Sequence, residues 1–243
     1  MPFGTMRADA RRNALSASRR FRRWPGQSAA WIFFPFLAAL TLAGCTDASR
    51  GTVEAVRIAM HRTATEPTAA SVAALPYYQL EVISSAGNGV LVLGNVDGVR
   101  EIWYGRPGQA LCLEHGRLVQ TMGLAQKLDG ARVEGQDPFA AGLQRLDAPL
   151  HYRRVEDWSP GYRYGVHVDA TLVPNGETDI DILGMRRHVR LVTEAISAPT
   201  AQYWATNRYW VDPDDGFIWM SEQQVLPGLA VKLVQLRPYR GKH

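Results

Sequence analysis

Short runs of β-branched and aromatic residues, each closed by Gly, Asn, Asp or Pro, recur from residue 76 to residue 237. This pattern constrains the fold more than any other feature of the chain. Runs of about five residues at a spacing of about ten are too short for helices and suit strands joined by tight turns. Tyr77–Ile83, Val90–Leu93, Val99–Tyr104, Gln109–Leu113 and Arg117–Thr121 read as five successive strands. Leu150–Asp157 and Tyr162–Pro174 follow a less regular stretch. In the second of these, Val166, Val168, Ala170 and Leu172 alternate with His167, Asp169 and Thr171, the period of two that buries one face of a strand. Asn175-Gly176 has the chemistry of a hairpin turn. Strands are then expected at Thr178–Met185, Val189–Ile196, Tyr203–Val211, Phe217–Gln223 and Leu229–Leu236. Residues 123–148, with Gly130, Gly135 and Pro138, read as a long connection holding a helical turn at Phe139–Leu146. The expected fold is mainly β: a large antiparallel meander sheet folded over on itself, with one or two short helices, forming a single domain over residues 76–243.

The first 45 residues have a different texture. Seven arginines and one acid, Asp9, precede the uncharged stretch AAWIFFPFLAALTLAG at 29–44, which ends at Cys45. A basic start, an apolar segment and small residues before a cleavage site describe a secretory signal. The stretch is short of the roughly 20 apolar residues of a spanning helix, and Pro35 would kink it. Leu42-Ala43-Gly44-Cys45 resembles the lipobox of bacterial lipoproteins. That resemblance implies lipidation at the Cys45 thiol, cleavage that leaves Cys45 first in the mature chain, and a membrane anchor rather than a span. Thr46, not Asp, follows the cysteine, and in lipoproteins of this kind that implies the outer membrane, on its periplasmic face. Residues 1–44 are thus expected to be a lipoprotein signal peptide, and 45–75 a lipidated tether with one short helix around Val53–Met60.

Charge and chemistry exclude several functions. Without the seven leader arginines and Asp9, the remaining chain has 20 basic and 22 acidic residues, so its body offers no field for nucleic acid. Two cysteines, Cys45 and Cys112, cannot build a disulfide framework or a thiolate zinc site. Six scattered histidines show no metal spacing, and neither a metal nor any other cofactor is expected. DPDDG at 212–216 has the residues of a tight turn, and the apolar strand after it cannot supply later calcium ligands. Asp169, Glu177, Asp179, Asp181 and Glu194 lie where a glycosidase pair could form, but spacing alone does not bring two of them together.

Several segments together resemble one family. Gly116-Arg117-Leu118-Val119-Gln120-Thr121-Met122-Gly123-Leu124 is similar to the GR-x-V-x-T-x-GL signature of the GfcB/YjbF lipoproteins. Asn207-Arg208-Tyr209-Trp210-Val211-Asp212, Gly216, Ser221-Glu222-Gln223 and Pro227 resemble that family's C-terminal hairpin. Leu75-Pro76-Tyr77, Leu91-Val92-Leu93 and the lipobox also fit. The long arginine-rich leader and the extra acid in DPDDG depart from it. The resemblance implies a role in producing or exporting extracellular polysaccharide, as in group 4 capsule systems, and no enzymatic activity. Expected partners are the membrane, through the lipid, and extracellular polysaccharide and secretion-machinery proteins. Arg117, Thr121, Tyr209, Trp210 and Gln223 are the candidate contacts. Two other functions stay open: a glycan-processing enzyme using a carboxylate pair, and a carrier of lipids or lipoproteins with an apolar pocket lined by residues such as Leu91, Val168 and Trp210.

Overall fold

A computed structural model describes residues 66–241 except 86 and 162. The signal peptide, Cys45 and the helix expected at Val53–Met60 lie outside the described residues. A five-residue helix, α1 (Ala69–Ala73), precedes the first strand. Twelve strands follow: β1 (Gln79–Ser84), β2 (Gly89–Asp97), β3 (Arg100–Tyr104), β4 (Ala110–Glu114), β5 (Arg117–Met122), β6 (Lys127–Glu134), β7 (Leu150–Ser159), β8 (Arg163–Ile182), β9 (Met185–Ala198), β10 (Tyr203–Val211), β11 (Ile218–Leu226) and β12 (Leu229–Arg237). A short helix, α2 (Pro138–Ala141), and a single 3-10 turn at Leu143–Arg145 sit between β6 and β7.

All twelve strands form one antiparallel sheet in the order β5-β4-β3-β2-β1-β12-β11-β10-β9-β8-β7-β6. Consecutive strands pair, as in a meander, except β5 with β6. One further ladder joins the first strand to the last: β1 pairs with β12, with Val82 opposite Leu233 and Ser84 opposite Val231. The sheet therefore curls into a nearly closed barrel whose open seam lies between β5 and β6. These two strands are consecutive in the chain yet form no ladder. Both are irregular at this point. The pairing of β4 with β5 shifts between Cys112 and Leu113, and that of β6 with β7 shifts between Leu128 and Gly130. Such bulges add local twist and end pairing at barrel rims.

Alternation along each strand fills the barrel. Val166, Val168, Ala170 and Leu172 of β8, Val192 and Ile196 of β9, Tyr209 and Val211 of β10, and Val231 and Leu233 of β12 belong to one buried cluster. α2 adds Phe139, which meets Tyr209 edge-on at 5.0 Å between ring centroids. Its start follows from sequence: Asp137 accepts from the Phe139 amide at 2.9 Å and Pro138 takes the first helical position. A second, smaller cluster holds Val72 of α1 with Ile182, Val189, Trp219, Val234 and Leu236, and Trp210 packs against it. On β12, Val234 and Leu236 alternate with Leu233, so this cluster lies on the other face of the sheet.

Three local expectations are corrected. The connection expected at 123–148 contains strand β6, whose Gly130, Lys127, Asp129 and Arg132 hide it. Asn175-Gly176 is not a hairpin turn. It sits in a bulge between Pro174 and Glu177, and β8 runs unbroken through it. The hairpin falls inside the segment read as Thr178–Met185, at Leu183 (φ 56°) and Gly184 (φ 78°).

Candidate functional site

The motif residues converge on the seam and on the barrel interior behind it. β5 lacks a ladder partner on one edge, so its backbone groups there need other partners. Gln223, on β11, supplies them. Its Oε1 accepts from the Leu118 amide at 2.9 Å, and its Nε2 donates to the Gly116 carbonyl at 3.2 Å and to Ser221 Oγ at 2.9 Å. The side-chain amide thus pairs with the β5 edge as a neighbouring peptide group would. Thr121 Oγ1 accepts from the Leu128 amide at 3.0 Å, a single stitch between β5 and β6. The turn that starts this connection depends on Gly123. Its φ is 72°, and a Cβ there would lie 2.0 Å from the Gly108 carbonyl oxygen.

Arg117 is 3% exposed, with its guanidinium 5.4 Å from the Phe139 ring centre and Nη2 3.4 Å from Asp137. Its Nε and Nη1 have no protein partner. They border a cavity of about 10 Å³, enough for one water molecule, also lined by Glu156, Asn207 and Gln223.

Behind the seam is an ionic knot that sequence reasoning did not assemble. Glu194 of β9 is fully buried. It accepts from the Tyr152 hydroxyl and Arg154 Nη1 on one oxygen. On the other it accepts from Asn207 Nδ2 and the Tyr209 hydroxyl, both at 2.8 Å. Arg154 Nε also donates to Glu156 at 2.5 Å, and Trp158 Nε1 donates to the other oxygen of Glu156 at 2.7 Å. Asn207 Oδ1 takes the Gln224 amide at 2.6 Å, which fixes the orientation of its amide. Burial alone would raise the Glu194 carboxyl. The Arg154 charge and the hydrogen bonds from Tyr152, Asn207 and Tyr209 outweigh it and hold the group below its usual value. Burial, reinforced by the Glu194 charge, pushes the Tyr152 and Tyr209 hydroxyls well up. Both Glu194 oxygens are each engaged by two donors, and the knot thereby ties β7, β9 and β10 together.

Four of the five candidate contacts, Arg117, Thr121, Tyr209 and Gln223, are therefore buried side chains of the seam and the knot. Trp210 is half-buried in the outer cluster. Cys45 lies outside the described residues. The motif's Asp212 and Gly216 close a hairpin, with Gly216 N donating to Asp212 O at 3.0 Å and Asp212 Oδ2 accepting from Trp219 Nε1 at 3.0 Å. Of the five acids considered for catalysis, two converge on a single histidine and the other three have separate partners. Glu194 is in the knot, Asp169 pairs with Arg153 at 3.0 Å, and Glu177 and Asp179 hold the two nitrogens of His188. Asp181 accepts from the Gly184 amide at 2.9 Å. Leu91 and Val168 pack in the interior while Trp210 packs outside, so these three line no common pocket. Cys112 is buried and burial raises its thiol, as in an inert structural cysteine. Among the described residues no group of three or more His, Cys, Asp or Glu is placed to hold a metal, and no helix is long and apolar enough to cross a membrane.

The comparisons with known proteins agree with this architecture. The family model of the group 4 capsule polysaccharide lipoprotein GfcB, YjbF, matches residues 38–236. The chain belongs to this family. The uncharacterized lipoprotein GfcB of Escherichia coli K12 is 25% identical over 204 residues, covering 82% of this chain and 95% of that protein. The crystal structure of the hypothetical lipoprotein YmcC from the same organism superposes with a TM-score of 0.67 at 21% identity, over 78% of this chain and 95% of that one. It shares the fold. The two segments whose residues resemble the family's motifs, about a hundred residues apart in sequence, are the parts that Gln223 ties together across the barrel.

Proposed function

We propose that the chain is a lipid-anchored lipoprotein on the periplasmic face of the outer membrane, exported by a cleaved signal peptide, that assists production or export of a capsule polysaccharide without catalysing a reaction on it. The observation that carries this reading is the family match. It runs from within the apolar stretch before Cys45 to the last strand, so the match takes in both the expected lipidation site and the barrel sequence. The geometry supports a binding or assembly role. The motif residues are spent on sealing the seam and fixing the interior, and the deeply buried Glu156 and Glu194 both pair with Arg154. The interior near the knot has space for a water molecule, not an acyl chain, which disfavours a carrier that uses this part of the barrel.

Deletion of the gene tests this. Cell-surface polysaccharide should fall in the deletion strain and return with the wild-type gene. Polymer incubated with the purified protein should keep its chain length. Unchanged surface polysaccharide in the deletion strain would refute the capsule role, and shortened polymer would refute the non-enzymatic one.

A further inference from the structure

Outside the barrel, β7 to β10 carry a trough that none of the motif residues enters. Its first row crosses four strands in register: Arg153 opposite Asp169, Asp169 opposite Ser197, and Ser197 opposite Trp204. The next row begins with His151 opposite Thr171, joined at 2.7 Å from Thr171 Oγ1 to His151 Nδ1. Adjacent strands lie about 4.8 Å apart, so Trp204 and Arg153 stand about 14 Å apart across the row. The short Ser197 side chain leaves the floor open, and the depression holds about 430 Å³. Trp204 forms one wall and is 63% exposed. The opposite wall is the Arg153–Asp169 pair, 3.0 Å apart and electrically balanced as a pair.

These are the parts of a sugar site. One face of a pyranose ring presents C–H groups and no hydroxyls, and it lies well on an indole whose π face carries negative charge. The ring's hydroxyl edge then needs closely spaced donors and acceptors, since a hydroxyl removed from water without a partner is costly. Ser197, Asp169, Arg153 and the Thr171–His151 pair offer both kinds on the trough floor and far wall. The balanced ion pair gives no reason to select a charged ligand. The volume suits a small ligand rather than a protein. Ten residues line it, against about 20–30 a side in a stable protein interface.

We infer that this trough is a saccharide-binding subsite, with Trp204 as the stacking platform for one neutral hexose ring of a longer polymer. The inference rests on the capsule reading above for the identity of that polymer. It gives the barrel a way to hold polysaccharide on its outer surface, where four of the five motif candidates cannot reach.

The test titrates the full-length lipoprotein in detergent micelles with hexasaccharides of glucose, galactose and mannose, read by calorimetry. At least one should bind. Trp204→Ala should weaken it about tenfold, on the scale of aromatic stacking energies, and Arg153→Ala should weaken it less. Tyr164→Ala removes an exposed aromatic that does not line the trough and should leave binding unchanged. Three results would overturn the subsite: no binding of any of the three at millimolar concentration, wild-type affinity in Trp204→Ala, or conversion of a wild-type dimer to monomer by Trp204→Ala, which would make the face a contact between two copies. The deletion phenotype is a separate readout. Surface polysaccharide lost on deletion but fully restored by Trp204→Ala sinks the subsite alone, whereas polysaccharide unaffected by deletion sinks the capsule role whatever the calorimetry shows.

Discussion

Replacing Glu194 by Gln changes one atom and removes the charge at the centre of the knot. All four partners of Glu194 donate to it: Tyr152 and Arg154 to one oxygen, Asn207 and Tyr209 to the other. The Gln amide nitrogen must replace one of these oxygens. Beside Arg154 it would oppose a cation that has no acceptor, so it turns toward Asn207 and Tyr209. The Tyr209 hydroxyl can rotate and accept. Asn207 cannot reverse its amide without losing the Gln224 contact. Arg154 is left buried with Glu156 as its one remaining anion. Because Arg154 keeps that anion, the cost is that of buried donors left without a charged acceptor, about 1–3 kcal/mol. At about 2–4 °C per kcal/mol for a domain of this size, Tm should fall by about 2–12 °C at pH 7. The loss should depend on pH. The folded-state pKa of Glu194 is lowered, so its contribution is complete above the unfolded value near 4.5 and is lost as pH falls through the folded value. The gap between wild type and Glu194→Gln should therefore be widest at neutral pH and narrow in acid. Thermal unfolding followed by circular dichroism at pH 7, 5 and 3.5 measures it. A variant within about 1 °C of wild type at pH 7, or a gap that does not narrow in acid, would show that the knot is not the ion-paired lock described here.

Gly123→Ala forces a Cβ toward the Gly108 carbonyl at positive φ, and denaturant unfolding should show a loss above about 1 kcal/mol. Gln223→Ala leaves the Leu118 amide without its acceptor at the seam. It should cost about 1–3 kcal/mol in the same assay and speed amide exchange at Leu118. His188 is held by Asp179 and Glu177, which raise its pKa above the ordinary 6.5. Its support of the β8–β9 hairpin is therefore complete below that value and fades as pH rises through the folded pKa. An NMR titration should place its midpoint above 6.5, and Asp179→Asn should bring the midpoint down.

The sequence reported most of the strands and very little of the interior chemistry. The bounds of Tyr203–Val211 are legible because Val211, Tyr209 and Asn207 face in while Trp210 and Arg208 do not. Strand β6 escaped because it borders the seam. Edge strands carry charges and glycine to discourage further pairing, and KLDGARVE therefore reads as a loop. Asn175-Gly176 misled because a bulge and a tight turn ask for the same residue: Gly176 takes φ 85° inside an unbroken strand. The true hairpin has Leu183 at positive φ, which turn preferences disfavour, and its side chain packs against the outer cluster.

The interior knot was partly legible. In β9 the inward rank is Val192, Glu194, Ile196 and Ala198, so a lone acid stands among apolar residues. In β7 the inward rank is Tyr152, Arg154, Glu156 and Trp158, and its two charges made that face look solvated. Only the three-dimensional meeting of the two ranks shows that Arg154 of one pairs with Glu194 of the other. The pairing of Gln223 with the β5 edge was less accessible still. It depends on which ladder of a twelve-strand sheet fails to form, and local pattern does not report that.

As proposed, the protein is a lipid-anchored barrel that works in capsule production from the membrane surface. The most direct test is a deletion strain carrying Cys45→Ser in place of the wild-type gene. The variant should leave the outer-membrane fraction for the soluble periplasmic one and should fail to restore surface polysaccharide. A Cys45→Ser protein that still sediments with the outer membrane, or one that is soluble and restores polysaccharide in full, would contradict the account.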